Sequence, residues 1–420
     1  MDPINVNLNI YQTLAAATAV YYVGVLLRIK VPFLRRYCLP APVIGGIIFA
    51  ILNAILYTNG IWTYQQDTIM QNVCMMLFFT SIGYTASISL IRKGGSLVAK
   101  TAVLTALLIL CQNGIGIALA HVFDLSPLMG LATGSIPMVG GHGTSGSFGP
   151  VLESVGLDNA TTIAFAAATF GLVSGSLLGG PMGEFLVRHY GLTSVADEER
   201  LDPANTSDEL QKLEQAAHGE RKAIDEEKRA GQSINNYRFM NALAHLLIAM
   251  GLGTVVSQIF VNFGLVFPNY IGSMLVAAII RNVSDYTHAY KVYQRESEVL
   301  GNLGLTIFLS CALMSLKLWQ LSDLAIPLMA MLLSQVLFIA LFVKFLLFRV
   351  MGRNYEAAVM AAGTCGFGLG ATPNAIANMS VMVERFGPAP TAFFVIPLIG
   401  ALIVDFVNFS IVTVLLNLLA

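Results

Sequence analysis

Two stretches of this 420-residue chain crowd glycines and hydroxyl side chains around groups able to hold a ligand. The first runs Gly134-Ser-Ile-Pro-Met-Val-Gly-Gly-His-Gly-Thr-Ser-Gly-Ser-Phe-Gly-Pro150; the second runs Gly363-Thr-Cys-Gly-Phe-Gly-Leu-Gly-Ala-Thr-Pro-Asn374, with Asn378 one turn on. Glycine admits close approach of a ligand to the backbone, and the N–H groups that start a helix suit an anion. Candidate substrate ligands are therefore Ser135, Gly140, Gly141, His142, Gly143 and Thr144 in the first stretch, and Gly368, Gly370, Thr372, Asn374 and Asn378 in the second. Thr372-Pro-Asn reads as the start of a half-helix, its hydroxyl capping while Asn374 and Asn378 face one way. His142 either binds a carboxylate or braces the loop, and Ser145 and Ser147 either touch ligand or satisfy freed backbone groups. Asp405 lies deep in the last apolar run, with Asn408 one turn later. An acid at such depth is a functional-site hypothesis by default, and oxygen donors are what a hard cation prefers. Covalent chemistry fares worse. Ser145 or Ser147 with His142 as base would be an intramembrane hydrolase, but no orienting acid stands with them. No glycine-lysine phosphate loop is present for ATP.

The elements that position these residues are membrane helices. Hydrophobic residues make up 56% of the chain and charged ones 11%, against about 25% charged in a soluble domain. Mean hydropathy is +0.71. The long apolar runs exclude an outer-membrane barrel, whose strands alternate, and a net charge of -1 offers no field for nucleic acid. The five cysteines (Cys38, Cys74, Cys111, Cys311, Cys365) form no CxxC and read as small core residues. Twelve apolar runs emerge, at 8–29, 39–57, 69–91, 98–121, 126–150, 161–187, 239–264, 268–282, 298–318, 324–350, 355–382 and 391–418. The first lacks the basic start and cleavage site of a signal peptide. One polar stretch, 191–238, divides the chain into a first repeat at 1–190 and a second at 239–420.

The two glycine-rich runs cannot expose their broken backbone to lipid, so each is read as a re-entrant hairpin or broken helix, at about 126–158 and 355–387. That leaves five crossings per half. On this topology 22 of the 23 Lys and Arg residues fall on one side, with Lys317 alone on the other. The crowded side is cytoplasmic by the positive-inside rule, so the central loop is cytoplasmic and both termini lie outside. If both runs crossed fully, the central loop would land outside with its seven basic residues. An odd number of crossings inverts the second half. The exits Val151-Leu-Glu-Ser-Val-Gly156 and Met382-Val-Glu-Arg-Phe-Gly387 correspond, as do Glu184 and Asp405, each five residues after a glycine. The fold class is thus an all-α polytopic membrane protein of two inverted-topology repeats with five transmembrane helices each, the plan of secondary transporters. A channel would show pore-lining rings instead.

At these hairpins the chain resembles the bacterial glutamate:sodium symporter family. The likeness rests on Gly140-Gly-His-Gly-Thr144, Gly363 to Pro373, Asn374-Ala-Ile-Ala-Asn-Met379, Thr169-Phe-Gly-Leu-Val-Ser-Gly175, Leu313-Met-Ser-Leu-Lys-Leu-Trp319 and Asp405-Phe-Val-Asn408. It implies Na+-coupled uptake of L-glutamate across the inner membrane by a homodimer with elevator-type movement, no enzyme activity, and no cofactor beyond Na+ as coupling ion. Asp405, Asn408 and Thr364 are then the candidate Na+ ligands. A related dicarboxylate or hydroxycarboxylate, carried with Na+ or H+, is the alternative. Glu184 reads as an i,i+4 partner of Arg188, and Lys317 beside Trp319 as an interface anchor. The charged part of 191–238 reads as a solvated helix.

Overall fold

Inside a bilayer a backbone must satisfy its own polar groups, so runs of apolar residues become helices. The computed structural model describes residues 3–36, 39–88, 95–194, 236–264, 266, 268, 270–288 and 290–419. The first half holds α1 (Ile10–Lys30), α2 (Ala41–Thr58), α3 (Ile69–Gly83), α4 (Gly95–Val122), α5 (Pro127–Ala132), α6 (Ser135–Met138), α7 (Gly141–Ser154) and α8 (Ala160–Tyr190). The second holds α9 (Asn236–Asn262), α10 (Tyr270–Thr287), α11 (Gln294–Met314), α12 (Ala325–Val350), α13 (Tyr355–Leu369), α14 (Thr372–Phe386), α15 (Pro390–Leu402) and α16 (Val404–Leu419). Among the described residues, seven helices (α1, α2, α4, α8, α9, α11 and α12) are long and apolar enough to cross a membrane. The pair α15–α16, bent by 43°, makes an eighth. Of the other two expected crossings, α3 has only 15 residues, and α10 carries Arg281, Asn282 and Asp285 near its end. The charged part of 191–238 lies outside the described residues.

Two features depart from the sequence reading. The last run is not one straight helix, and the bend sets Asp405 in the first turn of α16. A small sheet also exists: β1 (Ile4–Leu8) pairs in parallel with β2 (Trp62–Gln66), in register from Ile4 on Trp62 to Leu8 on Gln66. It ties the start of the chain to the loop between α2 and α3. Asn9 then opens α1 with a capping box, its side chain accepting from the N–H of Gln12 while its own N–H donates to Gln12.

Small residues set the packing, as expected where lipid offers helices no hydrophobic drive to associate. Gly24 of α1 lies against the Ala41 backbone, and Gly45 of α2 against that of Val20. The second half repeats this: Gly253 of α9 abuts Ser273, and Gly272 of α10 abuts the Gly253 carbonyl. α2 packs on α11 as α10 packs on α3, and α3 and α11 join at Gly301 against Ser81 and Gly304 against Cys74. These six helices form one packed group. The other consists of α4 to α8 with α12 to α16, and the largest apolar cluster of the molecule lies mainly within it.

Within the second group the glycine-rich segments double back. α13 and α14 run antiparallel, with Gly363 against Met379 and Gly366 against Ala375. α5 returns along α4, Gly130 against Gly116, and α7 turns outward again along α8, Gly149 against Thr161. Glu356 anchors the second hairpin at its base: its carboxylate accepts from the N–H groups of Thr391 (3.2 Å) and Ala392 (2.8 Å) at the start of α15. Glu184 pairs with Arg188 at 2.9 Å, as read from the sequence, and also with Arg385 at the end of α14.

Candidate functional site

The glycine-rich turns meet. Gly141, held at φ +60°, starts α7, and a Cβ placed there would come within 2.9 Å of the Gly370 carbonyl. Both conditions demand glycine, since a positive φ is strained for other residues and the space is taken. Gly370 and Ala371 separate α13 from α14. No side chain caps the start of α7 or of α14. α7 begins with Gly141, His142 and Gly143 lining a shared space, while α14, whose Pro373 has no N–H and whose Asn374 N–H bonds the Ala371 carbonyl, offers the N–H of Thr372 alone. The bend between α15 and α16 brings Asp405 to that space as well.

The space is a cavity of about 620 Å³ between the two helix groups. One wall is the hairpin group: Gly140, Gly141, His142, Gly143 and Thr144, then Gly370, Thr372 and Pro373, with Asp405. The facing wall comes from the start of α2 (Pro40), the end of α3 (Phe78, Ser81, Thr85) and one stripe of α11. That stripe is Glu298, Asn302, Leu305 and Leu309, at helical spacing. Among the described lining residues there is no lysine or arginine, while Asp405 and Glu298 are acids. His142 is nearly buried, and its Nε2 lies 3.0 Å from the Thr169 hydroxyl of α8. It braces α7 on α8 and lines the cavity at once.

Other residues named from the sequence stand behind this wall. Ser135 is fully buried: its hydroxyl donates to the Asn408 side-chain oxygen (2.6 Å) and accepts from Asn113 (2.7 Å), whose oxygen takes the Ser135 N–H. Asn408 also donates to the Ser135 carbonyl at 3.3 Å. This network holds the Gly134 break between α4 and α16. The Thr364 hydroxyl donates to the Met360 carbonyl within its own helix. Gly368 packs toward Ile339 of α12. Asn374 and Asn378 do face one way, but toward α8, donating to the carbonyls of Leu172 (2.9 Å) and Gly175 (3.0 Å). Those carbonyls belong to a helix that the hairpin presses against, so the amides fasten the hairpin. Thr372 does not cap α14. Ala371 holds the cap position, and Thr372, already helical, packs on Gly400 and lines the cavity. Ser145 and Ser147 satisfy backbone: Ser145 donates to Gly141 and Ala164, and Ser147 to Thr144 and the Tyr270 hydroxyl.

Sequence reasoning missed the facing wall. Glu298 and Asn302 fall in the first turns of the apolar run 298–318 and were not singled out; their spacing with Leu305 and Leu309 was the available signal.

The family model described as "Sodium/glutamate symporter" matches residues 6–388. The sodium/glutamate symporter of Escherichia coli (strain K12) is 38% identical over 414 residues, covering 98% of each chain. That of Haemophilus influenzae is 36% identical, again over 98% of each. The chain belongs to the sodium/glutamate symporter family.

Proposed function

We propose that this protein is a secondary active transporter that couples Na+ influx to uptake of L-glutamate by alternating access. One observation carries the reading: two uncapped half-helix starts and one acid of a bent helix share a single cavity. The relatives' names supply the solutes. The helix starts of α7 and α14, with Thr144 and Thr372, receive carboxylate oxygens, and His142 holds that wall in place. Asp405 holds Na+, whose charge offsets that of the substrate in a wall without described lysine or arginine. Asn408, one turn beyond Asp405, braces the start of α16 through its buried bond to Ser135.

The two halves form inverted repeats, supported by the order of elements and by the recurring glycine contacts of α1–α2 and α9–α10. The antiparallel course of α13–α14 supports re-entrant hairpins, and the division into two helix groups supports elevator-type movement of the hairpin group along the other. The protein works as a homodimer in the inner membrane, with basic loops in the cytoplasm and termini outside.

Labelled-glutamate uptake into proteoliposomes tests the reading. Accumulation above equilibrium is expected with an inward Na+ gradient and not with K+ at the same ionic strength. Uptake indifferent to Na+ would overturn the coupling.

A further inference from the structure

The two ends of the cavity differ. Its facing wall is built from helix ends that join basic loops: the start of α2 after Arg28 to Arg36, the end of α3 before Arg92 to Lys100, and the start of α11 after Arg281 to Arg295. Toward the other end of α11 the groups close on each other. Gly146 of α7 sits against the rings of Phe308 from α11 and Phe165 from α8, and Phe308, Phe165, Leu309 and Leu313 share one apolar cluster. On the topology proposed above, this conformation faces the cytoplasm.

Glu298 stands at the open end. It is exposed although it lies within an apolar helix, a placement tolerated where the side chain faces a water-filled space. Its carboxylate accepts from the Gln294 amide at 3.0 Å, and the oxygen of that amide accepts in turn from Arg281 at 3.5 Å. The nearby Arg281 is matched by Asp285 at 3.2 Å. Glu298 thus lines the mouth of a cavity whose other described acid is Asp405. Asp405 travels with the hairpin group; Glu298 belongs to the opposite group.

We propose that Glu298 is a directional residue: it faces bound substrate only while the cavity is open to the basic-loop side, and there it repels returning glutamate. This rests on the transport reading above. A fixed negative charge disfavours the anion at the face of release and leaves capture at the other face untouched, so it slows rebinding from the release side while the Na+ gradient still sets the accumulation reached.

The test compares the two faces at saturating Na+, which removes any effect of Glu298 on Na+ recruitment. Intact cells present the outer face and inside-out vesicles the basic-loop face, in a host without other glutamate carriers. Glu298→Gln is expected to lower the glutamate KM in vesicles about threefold to tenfold and to leave that in cells within about twofold, since the charge is then remote. Asn302→Asp, which adds a charge one turn deeper, is expected to raise the vesicle KM by a similar factor. Both differences are expected to shrink in high choline chloride as the charge is screened. Equal shifts at both faces, a higher vesicle KM for Glu298→Gln, or no shift in either variant would overturn the proposal. A wild-type protein without Na+-driven glutamate transport in either preparation would overturn the transport reading instead, a result distinct from any shift between variants.

Discussion

At the scale of single residues, polar groups in this protein divide between those that line the cavity and those that hold the wall. Asp405 was legible in the sequence because an acid so deep in an apolar run needs a reason. Asn408 looked like its companion by spacing, yet it serves the buried bond to Ser135. Spacing places two residues on one helix face but does not say what that face meets. Asn374 and Asn378 teach the same lesson, since their shared face meets α8. The distinction is measurable. Asn408→Ala removes two buried hydrogen bonds and is expected to cost about 1–3 kcal/mol of stability, read as a lower unfolding midpoint in detergent. The Na+ concentration for half-maximal uptake is expected to stay within about twofold, because each direct ion ligand lost would shift it tenfold per roughly 1.4 kcal/mol. A large shift in that concentration with unchanged stability would make Asn408 an ion ligand.

Elements were legible where composition breaks a helix outright. Glycine and proline punctuate Gly134 to Pro150 and Gly363 to Asn374, and helices end and restart inside both. The bend before Asp405 was not legible, since Leu402-Ile-Val404 is uniformly apolar and the nearest proline is Pro397. The paired strands were hidden by their brevity and by a partner more than 50 residues away. Anchorage of the second hairpin depends on Glu356, whose carboxylate accepts two N–H groups at the start of α15. Removing such an acceptor leaves buried donors unpaired, so Glu356→Ala is expected to destabilise the protein by about 1–3 kcal/mol. Thermal unfolding in detergent checks this. Glutamate KM in the folded fraction is expected to hold, because Glu356 does not line the cavity.

For the whole molecule, the sequence led to a reading of two matched halves but gave no sign of how helices from the two interleave. The helix groups do not follow the repeat boundary: each draws members from both halves, and the cavity forms between them. That arrangement explains why the facing wall escaped a reading centred on the hairpins. Its members, among them Ser81 and Glu298, sit on helices remote in sequence from either hairpin. It also underlies the proposal that one cavity takes glutamate at the hairpin tips with Na+ at Asp405. The most direct measurement is glutamate binding to the purified protein by titration calorimetry across a range of Na+ concentrations, for wild type and Asp405→Asn. Na+ is expected to tighten wild-type binding by about tenfold or more, whereas the variant's affinity is expected scarcely to respond to Na+. Equal Na+ responses in the two proteins would contradict it.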